Sequence, residues 1–275
     1  MNPTRILSTA LTEFRIALRN RWVLIAVLLM MLFSLVLSAA GSAPTGAVGA
    51  DRLSIVVASL TSLAVYLVPL LGLLLSFDAI AGEAERGTLP LLLTYPVSRA
   101  EVLGGKLLAH LCVLSLALLA GYGLAAIVAV WFGNDGLSGV AAVIRLFVTS
   151  LLLGVVFLNL GYALSSLSRR SSGAAGLAIG LWVIAVVLYD LALLAMIVAD
   201  GGDGIVTRIL PAALLINPAD AFRLYNLTAS AATSAASGLG GAANAVPATL
   251  SLAALLIWPV AGFLLALMAF RRVNP

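Results

Sequence analysis

His110 and Cys112 are the only histidine and the only cysteine in this 275-residue chain, and that scarcity limits the chemistry it can do. On a helix, residues two apart point to different faces, so the pair makes no shared metal site. A metal centre needs His, Cys or carboxylates clustered at defined spacing. Cys112 reads as a buried small apolar thiol, and Met30-Met31 as filler of an apolar run. Serine-nucleophile chemistry needs a base and a Gly-x-Ser-x-Gly frame, which the one histidine lacks. A phosphate loop needs Gly-x-x-x-x-Gly-Lys-Ser/Thr, so that backbone N–H groups cradle phosphates while the lysine reaches the terminal one. Gly82 and Gly87 have the glycine spacing, but Thr88 stands where the lysine belongs. Gly104-Gly105-Lys106 has no hydroxyl after it. The expectation is a chain with no catalytic site, no bound cofactor or metal, and no nucleotide hydrolysis of its own.

The elements that would position any site are membrane helices. The chain is 63% hydrophobic and 9% charged, with a mean hydropathy of +1.17. A soluble domain carries about a quarter charged residues. The apolar runs are continuous and reach the roughly 20 residues that cross a bilayer; membrane strands would instead alternate in short segments. Spans are expected at about 22–40, 54–77, 106–131, 141–167, 173–199 and 248–270, giving an all-α membrane protein of six transmembrane helices. The run from Trp22 to Ala40 is longer than a signal-peptide core, so it is expected as an uncleaved first helix. Residues 1–21 place Ile6, Leu7, Leu11, Phe14 and Leu18 at helical spacing among charges, the pattern of an amphipathic helix lying in the membrane interface. The membrane domain is then 22–275.

Net charge is +4. In a soluble protein that hints at nucleic acid, but in a membrane protein the placement of each charge matters more. No nucleic-acid partner is expected. Arg5, Arg15, Arg19, Arg21, Arg86, Arg99, Lys106, Arg169, Arg170, Arg271 and Arg272 fall on one side; Arg52, Arg145, Arg208 and Arg223 fall on or near the other. The first set marks the cytoplasmic side, with both termini inside a bacterial inner membrane.

Two segments leave the spans. In the inside loop, 78–105, Glu83, Glu85 and Arg86 precede Gly87-Thr88 and the apolar Leu89–Leu93. Pro96 disfavours helix at Tyr95. Ser98 can cap a new helix, with Glu101 three residues on to complete a capping box. Leu89, Leu91, Leu92 and Leu93 are too apolar to stand bare in water, and must meet lipid, another helix or a partner. The outside segment, 200–247, is broken by Pro211, Pro218, Asp220 and Arg223 and ends in a small-residue tract. In the fifth span, Gly173, Gly176 and Gly180 include a Gly-x-x-x-Gly pair that lets helices approach closely, within the chain or between chains. Asp190 is an intramembrane carboxylate, or one at the interface, and a candidate for a transport path. Asn159 and Arg145 pose the same question more weakly.

The run FDAIAGEAERGTLPLLLTYPVSRAEVLGGK resembles the loop of ABC-2-type permease subunits. LLLTYPVSRAEVL and LINPADAFRLYNL are similar to the permeases that serve nitrous oxide reductase maturation. The resemblance covers the whole chain. It implies a type V exporter-like fold with a cytoplasmic coupling helix and an external helical hairpin before the last span. It implies a separate cytoplasmic ATPase of the NosF type, which carries the ATP and Mg, and a periplasmic NosD-type protein. It also implies a homodimer with a seam along the first and fifth spans, and a role in assembling a copper–sulfur site. On that footing Glu83, Glu85, Arg86, Thr88 and Arg99 are the expected ATPase contacts, with Leu89, Leu91 and Leu92 as their apolar anchor. Arg208, Asp220 and Arg223 are the expected external docking contacts, and Gly173, Gly176 and Gly180 the seam. The rival readings are an intramembrane enzyme acting on lipid and a passive membrane scaffold.

Overall fold

The computed structural model describes residues 3–18, 21–40, 52–94, 97–132, 139–199, 205–228 and 246–273, and every regular element among them is a helix. In chain order these are α1 (Pro3–Leu18), α2 (Arg21–Ala40), α3 (Arg52–Ser76), α4 (Asp78–Glu85), α5 (Leu89–Thr94), α6 (Arg99–Phe132) and α7 (Val140–Leu167). Then come α8 (Ser171–Trp182), a π-helical turn (Val183–Leu188), α9 (Tyr189–Ala199), α10 (Ile205–Ile216), α11 (Pro218–Thr228) and α12 (Ala248–Arg271). The small-residue tract of the outside segment, together with Tyr95 and Pro96, lies outside the described residues.

Five helical stretches among the described residues are long and apolar enough to cross a membrane, where six spans are expected. They are α3 running on into α4, α6, α7, α8 through α9, and α12. The expected first span falls on α2, a 20-residue apolar helix, with Val27–Ser38 its apolar stretch among the described residues. α6 begins seven residues before the expected third span because the capping box forms: Ser98 Oγ accepts the Glu101 N–H at 3.2 Å, and Glu101 Oε2 accepts the Ser98 N–H at 2.9 Å.

α7 is the centre of the bundle, with α3, α6, α11 and α12 around it. Its glycines explain how close α3 and α6 can come. A Cβ on Gly161 would collide with the Ser76 side chain, and one on Gly154 with Leu114. Buried hydroxyls stitch α6 to α7: Tyr122 to Ser150 at 2.9 Å and Tyr162 to His110 Nδ1 at 2.7 Å. Asn159, wholly buried on α7, donates to the Pro259 carbonyl of α12 at 3.0 Å. Its Oδ1 has no hydrogen-bond partner among the described residues.

α1 turns its small residues, Ala10 and Ala17, inward and leaves Leu7, Leu11, Ile16 and Leu18 bare. Its buried side packs on α6. The bare leucines suit a helix whose apolar face dips into the headgroup boundary. Gly105 makes the docking possible, since a Cβ there would come 2.6 Å from Thr9 Cβ. Gly105, next to the lysine that fails as a phosphate loop, is thus a packing notch for α1.

Candidate functional site

The chain departs from a continuous helix at Phe77, between α3 and α4. Ser165 of α7 supplies the reason. Its Oγ accepts both the Ile80 N–H at 3.0 Å and the Ala81 N–H at 2.9 Å, two donors that the break takes away from their helical carbonyls. α4 ends at Arg86 and Gly87, whose φ of +69° is the left-handed conformation that glycine adopts without strain. Thr88 Oγ1 and N–H both return to the Glu83 carbonyl, at 3.2 and 2.9 Å, and close the turn. α5 then starts on Leu89, which is buried in the core, while Leu91 stands 64% exposed.

This protrusion rests on a buried ion cluster. Lys106, the sole lysine of the chain, has a 2% exposed side chain. Its Nζ donates to Glu83 Oε1 of α4 at 2.6 Å and to Glu13 Oε1 of α1. One cation therefore ties three helices together: the amphipathic helix, the protrusion and the third expected span. The cluster borders a cavity of about 330 Å³ that Asp78, Arg86 and His110 also line. At the other side of the base, Arg99 donates from Nη1 to the Phe270 carbonyl at the C-terminus of α12, and its guanidinium lies 5.2 Å from the Phe270 ring centroid. Glu85 accepts the Ser171 N–H at 2.9 Å and so links the protrusion to the start of α8.

The opposite end of the bundle repeats the motif with different chemistry. Arg223 of α11 forks onto Asp190 of α9, Nη1 to Oδ1 at 3.1 Å and Nη2 to Oδ2 at 2.6 Å. Arg223 Nη1 also reaches Asp220 Oδ1 at 3.2 Å, and the Tyr66 hydroxyl lies 3.4 Å from Asp190 Oδ2. Asp220 is 2% exposed and its Oδ2 has no hydrogen-bond partner among the described residues. Burial first, and then the Asp190 charge, push the Asp220 carboxyl up to about 7. Burial alone would lower the Arg223 guanidinium, but the bonds and charges of Asp190 and Asp220 outweigh it and hold Arg223 above its ordinary value.

Neutral bonds reinforce this cluster. Asn217 caps α11, accepting the Ala219 N–H at 2.9 Å, with Pro218 in the first helical position. Its amide donates to the Ala185 carbonyl inside the π turn at 2.6 Å. The Tyr189 hydroxyl donates to the Ala213 carbonyl of α10 at 2.8 Å. The π turn widens the helix and frees a carbonyl, which the Asn217 amide takes.

The expected site residues separate by position. Glu85, Arg86 and Thr88 are exposed on the protrusion with Leu91. Glu83, Leu89 and Arg99 form its base, and Leu92 is half-buried against the core. Asp220 and Arg223 face inward onto Asp190, and the side chain of Arg208 lies outside those described. A Cβ on Gly176 or Gly180 would meet nothing within 4 Å, whereas one on Gly173 would meet Ser168 of its own chain at 2.7 Å. Glu13, Lys106 and Ser165 escaped the reading of sequence. A single lysine inside an apolar helix, opposite a single glutamate on an amphipathic one, is the signal that points to the first two.

Comparison with known proteins agrees with this architecture. The family model of the ABC-2 family transporter protein matches residues 7–274. A protein of Pseudomonas aeruginosa named "Probable ABC transporter permease protein NosY" is 46% identical over 264 residues, covering 94% of this chain and 95% of that one. A protein of the same name from Stutzerimonas stutzeri is 40% identical over 272 residues, 98% of each chain. The chain belongs to the ABC-2 family of transporter proteins, as a membrane permease subunit.

Proposed function

We propose that this chain is the permease of an ATP-driven complex of the bacterial inner membrane, with six spans and both termini cytoplasmic. A separate cytoplasmic ATPase of the NosF type docks on the α4–α5 protrusion and brings the ATP and Mg. The observation that carries this reading is the contrast within the protrusion itself. Its tip offers Glu85, Arg86, Thr88 and a bare Leu91, and its base is clamped by Lys106, Ser165 and Arg99. A charged, partly apolar tip on a rigid base is built to take a push from a partner. Motion of the tip passes through Glu83 and Lys106 into α1 and α6, and through Glu85 and Ser171 into α8.

The complex contains two copies of this chain. No described atom lies within 4 Å of where a Cβ would stand on Gly176 or Gly180 of α8, and small residues of that spacing support close helix pairing in lipid. Asp220 and Arg223 hold the α10–α11 hairpin to α9, so the hairpin moves with the fifth span. A periplasmic NosD-type protein would meet that hairpin, and the complex would serve maturation of the copper–sulfur site of nitrous oxide reductase. The test is co-expression with the ATPase partner. Charge reversal of Glu85 and Arg86 together with Leu91→Asp should abolish co-purification while the permease still inserts and folds; undiminished co-purification refutes the docking site.

A further inference from the structure

The ion cluster at the hairpin end contains more negative charge than it can neutralise. Among the described residues two carboxylates, Asp190 and Asp220, share one guanidinium, that of Arg223. Asp190 takes the matched fork, through both of its oxygens. Asp220 is left with one bond, to an Nη1 that it shares, and with an unbonded Oδ2 out of contact with water. A buried carboxylate oxygen without a donor is costly. A proton on Asp220 removes the excess charge and turns the orphan acceptor into a hydroxyl.

We infer that Asp220 is a proton-binding site, and that the proton it holds fastens α9 to α11. Release of that proton to water leaves two facing carboxylates on one guanidinium and loosens α9 from the hairpin. The surroundings permit this. On α11 the nearby titratable or charged groups are Arg223 and Tyr225; α9 contributes Asp190 and Tyr189, α3 contributes Tyr66, and α7 contributes Arg145, which reaches the Asn226 carbonyl at 3.5 Å. α12 brings no charged residue to this end. Among the described residues no second cation is bonded to Asp220; the side chains of Arg52 on α3 and Arg208 on α10 lie outside those described. The upward displacement of the Asp220 carboxyl to about 7 agrees with the geometry.

Mechanically, α9 is the element free to respond. α11 is buried among α3, α7 and α12, while Leu191, Leu194, Ile197 and Val198 of α9 are bare. The π turn precedes α9 and gives it a place to bend. The inference stands on this cluster alone and does not depend on an ATPase partner.

The experiment uses the full chain in lipid nanodiscs, with Cys112→Ser and spin labels at Ala195→Cys on α9 and Ala253→Cys on α12, both exposed positions. Distances between the labels are recorded from pH 5 to pH 9. The expected result is a shift to longer, broader distances as pH rises, with its midpoint near neutrality. Asp220→Asn, neutral and of the same shape, should keep the short distance throughout. A wild-type distribution that does not change with pH overturns the inference, as does an Asp220→Asn protein that shifts like wild type. The wild-type titration decides the matter even if the variant does not fold.

Discussion

The two ends of this molecule solve one problem with different cations. At the loop end, Lys106 holds Glu13 and Glu83; at the hairpin end, Arg223 holds Asp190 and Asp220. Each cluster has two carboxylates on one cation, and each ties elements distant in sequence. Lys106 is a point charge, almost wholly buried, with partners on two helices other than its own. Arg223 is a planar fork whose side chain stays 27% exposed, and one of its partners is three residues away on the same helix. A buried pin that joins three helices resists change. A cluster whose cation stays partly exposed can open. The difference assigns stiffness to the loop end and adjustability to the hairpin end.

Breaking the pin should have the largest effect. Lys106→Met leaves Glu13 and Glu83 without a countercharge in a dry setting, where loss of one partner costs about 3–5 kcal/mol. Thermal unfolding of the purified protein in detergent should show it as a large drop in midpoint. Arg223→Met, at the partly exposed cluster, should lower the midpoint less; the reverse order would undo the comparison.

Ser165→Ala comes next. It strands the Ile80 and Ala81 N–H groups, and an unmet buried donor costs about 1–3 kcal/mol. Urea or guanidinium unfolding should register that loss, and protection of the α4 amides from hydrogen exchange should fall with it.

The Asp220 carboxyl sharpens the contrast through pH. Its value in the folded protein, about 7, lies above the ordinary 3.8. Its stabilising contribution is therefore complete below about pH 4 and is lost as pH rises to about 7. Hydrogen exchange corrected for intrinsic rates should show α9 losing protection over that window. Asp220→Asn should flatten the curve.

The smallest effect on the isolated protomer is expected at Gly176. Gly176→Leu meets open space and should leave the unfolding midpoint unchanged, while crosslinking of two copies in membranes should disappear. Gly161→Leu should do the opposite and destabilise the protomer, because Ser76 already fills that space.

The helical plan was legible because apolar runs and punctuation act locally. The capping box at Ser98 and Glu101 needs only residues three apart. The second span was read to end at Phe77, where the break falls, but the hydroxyl that holds the break, from Ser165 far along the chain, was not legible. The same holds for the partners of Lys106, which meet it only once Gly105 lets α1 settle. Glycine spacing suggested close packing in the fifth span, yet among the described glycines a neighbouring helix crowds Gly105, Gly154 and Gly161, all outside that span. Asp220 and Arg223 were expected as docking contacts from the resemblance; their shared bonding with Asp190 on α9 was not legible, because that partner lies far along the chain.

The central claim is that the α4–α5 tip receives an ATPase. The most direct measurement is ATP hydrolysis by that ATPase reconstituted with this chain, comparing wild type with the combined reversal of Glu85 and Arg86 and Leu91→Asp. The account predicts that the ATPase rate falls to that of the ATPase alone, with the permease still folded and dimeric. Stimulation equal to wild type would contradict it.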